Sequence, residues 1–259
     1  NDPPVDHYIV SLTGERSLSK TLRGLVRGQS LEAVPNTAAF ANGRYEFARR
    51  VDDIGGAGGA FIDWRTLPDE VFSSGVVPVQ TSKGCPYRCA FCNFVRDRRL
   101  MFAKPIDTLV EELRGASERG AKYVWFVDDN FRLGARDLDA VCRRFVEEKL
   151  DLRWMTMLRA DTLDRADVDL LRRAGCVEVQ LGLESGDSRI LKNMNKGASP
   201  ALYRRVVKRV LGTGMTCSGY FIFGFPGETN ETALRTRAFI RDLESPDLDG
   251  TLMWSLFPF

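Results

Sequence analysis

From residue 76 onward, short apolar runs alternate with longer stretches in which apolar residues recur every three or four positions. The first pattern suits a strand covered on both faces, the second a helix that buries one side against a sheet. Strands are expected over residues 76–81, 123–127, 154–158, 177–183 and 217–225, with a sixth beginning near Gly250. Pro105 opens a helix carrying Ile106, Leu109, Val110 and Leu113, and a second helix presents Leu138, Val141, Cys142, Phe145 and Val146 on one face. A third is expected near 165–174. Ser199 and Pro200 cap a fourth with Leu202, Val206, Val207 and Val210 inward, and Leu234, Ala238 and Phe239 mark a fifth. Six strands alternating with helices predict an α/β fold, a parallel sheet curled into a partial (β/α)6 TIM-like barrel or left open.

Residues 1–75 do not share the alternation. Leu18, Leu22, Leu25 and Val26 predict a short amphipathic helix ended by Gly28. Asn42-Gly43 between apolar flanks predicts a type I′ hairpin, and residues 52–59 read as a glycine-rich loop. These segments form an N-terminal extension to a core domain at 76–259. A start at Asn1 and an end inside the apolar run TLMWSLFPF lead us to expect a piece of a longer protein, truncated at its C-terminus.

In folds of this kind ligands gather where strands end. The first strand runs into TSKGCPYRCAFCNF, which holds Cys85, Cys89 and Cys92, half of the six cysteines of the chain. Structural cysteines are usually scattered small hydrophobes, whereas iron–sulfur clusters are held by closely spaced thiolates. No fourth cysteine is near, so the simplest reading is a [4Fe–4S] cluster with one iron open to a small molecule. A zinc knuckle would need a fourth ligand, and the single histidine, His7, is remote. Cys142 on an apolar helix face, and Cys176 and Cys217 at strand starts, read as core. The remaining strand ends are also polar or glycine-rich: Asp128, Asp129 and Asn130; Arg159 and Asp161; Gly182-Leu183-Glu184-Ser185; and Gly224-Phe225-Pro226-Gly227-Glu228.

Composition adds mainly exclusions. The 259 residues suit one large core, and 37 basic against 35 acidic side chains leave a formal charge of +2, with no electrostatic footprint for nucleic acid. No apolar run approaches the roughly 20 residues that span a bilayer, and residues 1–8 do not look like a signal peptide. With cysteines that must stay reduced, a cytoplasmic protein without a membrane partner is expected.

The C-x3-C-x2-C spacing with Phe91 before the last cysteine resembles the signature of the radical S-adenosylmethionine (SAM) superfamily. That resemblance implies catalysis: an open iron that chelates SAM, a reduced cluster that splits it to a 5′-deoxyadenosyl radical, and an electron donor such as flavodoxin or ferredoxin. It also implies roles at the barrel mouth. Glu184 in GLES would contact the ribose or amino group of SAM, Lys196 its carboxylate, and Gly224 and Pro226 the adenine. Arg159 would meet substrate or cofactor. Asp128 and Asp129 stand where many members carry a glycine-rich turn for the SAM amino group. The GE-x-S-L stretch at Gly14, the hairpin and Leu67-Pro68 are similar to the segment joining a cobalamin domain to the barrel in the cobalamin-dependent branch. No D-x-H-x-x-G cobalt-ligand motif is present.

The expectation is therefore a radical SAM core that modifies a small molecule or peptide, by methylation if cobalamin is supplied from a domain outside this chain. Two alternatives stay open. One is a methylthiotransferase acting on tRNA or protein, which should carry a second cysteine trio; the other is a metal-binding or electron-transfer module without turnover.

Overall fold

The computed structural model describes residues 5, 7–10, 14–31, 34–51, 61–92, 101–132, 134–244 and 251–259. The expected loop at 52–59 lies outside them. The chain divides into two compact units, 1–60 and 61–259.

In the first unit, β1 (His7–Ile9) pairs antiparallel with β2 (Thr37–Ala41), which pairs with β3 (Arg44–Phe47). Asn42 and Gly43 join β2 to β3 with φ of 53° and 76°, the double positive φ that a type I′ turn demands. The helix α1 (Glu15–Val26) forms where the spacing places it. Its buried side, however, is Ser17, Thr21 and Gly24, and Leu18, Leu22, Leu25 and Val26 are exposed.

The second unit carries the alternation. Two short 3-10 turns (Trp64–Thr66, Asp69–Phe72) lead into β4 (Val76–Val79), followed by β5 (Ser82–Lys83), β6 (Phe102–Ala103), α2 (Ile106–Glu118) and β7 (Tyr123–Phe126). Next come α3 (Ala135–Glu147), β8 (Arg153–Leu158), α4 (Ala160–Leu163), α5 (Val168–Arg173) and β9 (Cys176–Glu184). The chain closes with α6 (Ser188–Asn193), α7 (Pro200–Gly212), β10 (Thr216–Phe223), α8 (Asn230–Leu243) and β11 (Leu252–Pro258). Among the described residues, six strands form one all-parallel sheet in the order β11-β10-β9-β8-β7-β4. The order follows the sequence, as a right-handed winding that starts to close a barrel requires.

Residues 61–75 belong to this unit and not, as read from the sequence, to the extension. The reason is Trp64, buried in the main core, with its ring 6.0 Å from Phe72. Arg65 adds ion pairs to Glu111 and Glu118 of α2.

Alternate strand residues point to the helices: Val77, Val79, Val124, Phe126, Trp154, Leu158, Val179, Leu181 and Phe221 are buried in one core. Trp154 sits 5.4–6.3 Å from the rings of Phe126, Phe131 and Phe145, and its indole N–H donates to Ala174 O. Such aromatic packing supplies large apolar area together with edge-to-face contacts. The opposite sheet face stays partly open, with Trp125 and Met157 46% and 40% exposed. Cys142, Cys176 and Cys217 are buried free thiols in the core. Burial pushes the proton affinity of all three thiols up, that of Cys217 to about 12, so they stay protonated and inert.

Candidate functional site

The cysteine loop leaves the sheet after β4, and β5 and β6 close its base as a short antiparallel ladder. Two clamps hold what lies between. On the β7 side, Asp128 accepts from Thr81 N at 2.8 Å, Thr81 Oγ1 at 2.9 Å, Ser82 N, and Ser82 Oγ at 3.1 Å, and Asp129 accepts from Gly84 N at 2.9 Å. Both carboxylates thus grip the entry to the loop. This positioning has a physical reason: the backbone N–H groups of a turning chain need acceptors where the ladder stops. Burial raises the Asp128 carboxyl to about 6, against the pull of its donors.

The second clamp comes from the end of α6. Ala90 N donates to Met194 O at 2.8 Å, and Asn195 Nδ2 to Arg88 O at 2.8 Å. Phe91 packs on a small cluster of Ile190, Met194 and Phe225. Asp187 starts α6 by accepting from Arg189 N and Ile190 N, so the helix that clamps the loop is itself capped.

Arg159 follows β8 and lies against the loop, 7% exposed. Its Nη1 donates to Cys89 Sγ at 3.4 Å, its Nε to Asp161 Oδ1 at 2.8 Å, its Nη2 to Asp161 Oδ2 at 3.3 Å and to Lys196 O, and the guanidinium stacks 3.5 Å from the centroid of Tyr87. Beside it, Lys196 and Glu184 form a buried ion pair at 2.6 Å, with Lys196 Nζ 5.6 Å from the Phe91 ring. Glu184 ends β9 with φ of 63°, a conformation uncommon for a long side chain and often kept where a site requires it. Gly182 makes room: a Cβ there would meet Glu184 Oε1 at 2.5 Å and Lys196 Nζ at 3.0 Å. Gly224, with φ of 86°, donates its N–H to Glu228, and Pro226 is exposed on the same turn.

The structure thus brings Cys85, Cys89, Cys92, Phe91, Arg159, Glu184 and Lys196 to one end of the sheet. Phe225 joins the Gly224–Pro226 turn to them. Sequence reasoning missed Tyr87 and Asn195, and named Asp161 only as a polar residue at a strand end. Tyr87 and Asn195 carried a signal, since a ring within the cysteine spacing can stack on a cation and Asn tolerates the φ of 52° it adopts.

The donor set suits an iron–sulfur cube. Cys85 and Cys89 are half-buried and Cys92 is exposed, none of them in a disulfide. Burial pushes the Cys85 thiol up, and the nearness of Cys89 and Cys92 adds to it. Three cysteines on one short loop are the donor set that an iron–sulfur cluster takes. Among the described residues no three His, Cys, Asp or Glu side chains are gathered into a ready cage for a metal ion; a cube takes its thiolates at separate corners.

The family model of the radical SAM superfamily matches residues 79–240. A Pyrococcus horikoshii protein named an uncharacterized methyltransferase is 29% identical over 97% of this chain and 58% of its own length. The bacteriochlorophyllide d C-12(1)-methyltransferase of Chlorobaculum tepidum is 32% identical over 64% of this chain and 38% of its own. The structure of TsrM from Kitasatospora setae, a radical SAM methyltransferase with cobalamin and a [4Fe–4S] cluster bound, superposes with a TM-score of 0.77 at 18% identity. That match covers 97% of this chain and 52% of TsrM, so the chain spans between about two fifths and three fifths of these proteins. The TsrM likeness extends the agreement to the fold, and the family match, which spans more than half of the chain and contains the cysteine loop, identifies the protein as a member of the radical SAM superfamily.

Proposed function

We propose that this chain is the catalytic core of a radical SAM enzyme that transfers methyl groups. The observation that carries the reading is the clamped loop: three cysteines outside any disulfide at the carboxyl end of a parallel sheet, with a buried cation and a buried ion pair beside them. Cys85, Cys89 and Cys92 would hold a [4Fe–4S] cluster, which when bound supplies an electron and an open iron for splitting SAM into a 5′-deoxyadenosyl radical.

The chain's own residues do the rest. Phe91, packed on Ile190, Met194 and Phe225, anchors the loop. Glu184 presents carboxylate oxygens to the ribose or amino group of SAM, and Lys196, held by Glu184, offers the cation for its carboxylate. Gly224 and Pro226 shape the turn against which the adenine lies. The open sheet face with Trp125 and Met157 receives an apolar part of a small-molecule or peptide substrate. Two relatives named as methyltransferases and the fold likeness to TsrM support methyl transfer, with cobalamin supplied from a part of the protein beyond this chain. A flavodoxin or ferredoxin would deliver the electron. Among the described residues no helix is long and apolar enough to cross a membrane; the cytoplasm is proposed because the thiols must stay reduced.

The test is anaerobic reconstitution of the chain with iron and sulfide, then electron paramagnetic resonance of the reduced protein with and without SAM. The reading expects a [4Fe–4S]⁺ signal that changes when SAM is added. A signal indifferent to SAM, or no cluster, overturns it.

A further inference from the structure

Arg159 has the wrong surroundings for a ligand contact. Its guanidinium carries five N–H donors. Three go to Asp161 and Lys196 O, one to Cys89 Sγ, and one face is covered by Tyr87. The residue is 7% exposed. It is a buried cation whose geometry is set by one carboxylate and one ring, and whose remaining fork points at a single sulfur.

We propose that Arg159 tunes the reduction potential of the cluster through Cys89, with Asp161 as the counter-charge that partly offsets it. The proposal rests on the reading that the three cysteines hold a [4Fe–4S] cluster. Three thiolates on a cube of charge +2 carry a net charge of −1, and one added electron makes it −2. A cation 3.4 Å from one of the sulfurs stabilises the reduced state more than the oxidised one, and hydrogen bonds to cluster sulfurs are a recognised means of setting the potential. Low local dielectric strengthens the effect, because little water stands between guanidinium and sulfur. The Asp161 carboxylate on the far side opposes it in part, so the Arg159–Asp161 pair acts as a dipole with its positive end at the cluster.

The two residues should therefore act with opposite signs, which a merely structural role would not produce. The experiment is a redox titration of the reconstituted 259-residue chain, with titanium(III) citrate giving one electron per cluster and becoming titanium(IV), read as the [4Fe–4S]⁺ spin count at each potential. Arg159→Gln is expected to lower the reduced-to-oxidised ratio at a fixed potential about tenfold, a midpoint shift of about 59 mV to lower potential. Asp161→Asn is expected to raise the midpoint. An Arg159→Gln chain with four irons and the wild-type midpoint overturns the proposal. If that variant holds no cluster, Asp161→Asn decides, and a midpoint unchanged or lowered overturns it. SAM is absent from the titration. A wild-type signal that ignores SAM therefore removes the cofactor reading and leaves the role of Arg159 standing, whereas a wild-type chain without a cluster removes both.

Discussion

Asp128 serves the site from the entry to the loop. Burial raises its carboxyl from 3.8 to about 6, so the folded state holds the proton more tightly than the unfolded one. Its contribution to stability is full below about pH 4 and is lost as the pH rises through 6, a change on the order of 3 kcal/mol. Asp128→Asn should remove that slope. It should also destabilise the apo chain at neutral pH by about 1–3 kcal/mol, because a carboxamide has one oxygen for donors that now use two. Urea denaturation of both proteins at pH 4 and 6.5 measures this, and equal slopes would refute the assignment. A second residue-scale test is Gly182→Ala, which pushes a methyl into the Glu184–Lys196 pair without changing any charge. Cluster assembly should be unaffected while SAM affinity, read from the resonance titration, falls about tenfold. Unchanged affinity would separate the ion pair from SAM.

At the scale of elements, the cysteine loop depends on neighbours that contain no cysteine. Lys104, just past β6, donates its N–H to Thr81 O, and its ammonium pairs with Glu112 of α2, both side chains being buried. Arg132 joins the same junction by donating to Thr81 O and Lys104 O. Lys104→Met leaves Glu112 buried and unpaired and should cost about 3–5 kcal/mol. The double variant with Glu112→Leu should recover most of the loss. Thermal unfolding of the single and double variants decides, and a single variant as stable as wild type would show that the pair matters little. The helix α1 shows the limit of periodicity at this scale. Spacing predicts that a helix forms and which residues share a side, but not which side is covered. Here Ser17 Oγ donates to Pro35 O, and an ideal Cβ on Gly24 would lie 2.6 Å from the Leu31 side chain, so the small polar side is the one approached closely.

For the larger unit as a whole, the clamps on the loop are hydrogen bonds and apolar contacts from β7, β8 and α6, and none needs a metal. The barrel should therefore fold without the cluster, unlike a small domain whose metal is its core. Far-ultraviolet circular dichroism of apo and reconstituted chain should coincide, and the melting temperature should rise on reconstitution because the cluster binds only the folded form. An unfolded apo chain would contradict this account.

How much could be read beforehand divides along physical lines. Strand and helix positions in the alternating part were legible to within a few residues, because burial on a two-layer fold imposes periods of 2 and 3.6 that survive in one dimension. The short elements α4, α6, β5 and β6 were not, since two to six residues carry too little period to register. The cysteine loop was legible because ligands to one cluster must lie close along the chain. Arg159, Glu184 and Lys196 were legible as polar residues beyond strand ends, and their roles only through the family resemblance.

By itself the sequence determined the α/β alternation, the thiol loop and the end of the sheet at which chemistry gathers, since each follows from local spacing. The tertiary structure alone decided that Asp128 and Asp129 grip the backbone, that Arg159 turns to Cys89 and that Glu184 pairs with Lys196. Those are choices among partners 12 to 70 residues apart, and no local pattern encodes which of several polar groups a long side chain reaches once the strands are side by side.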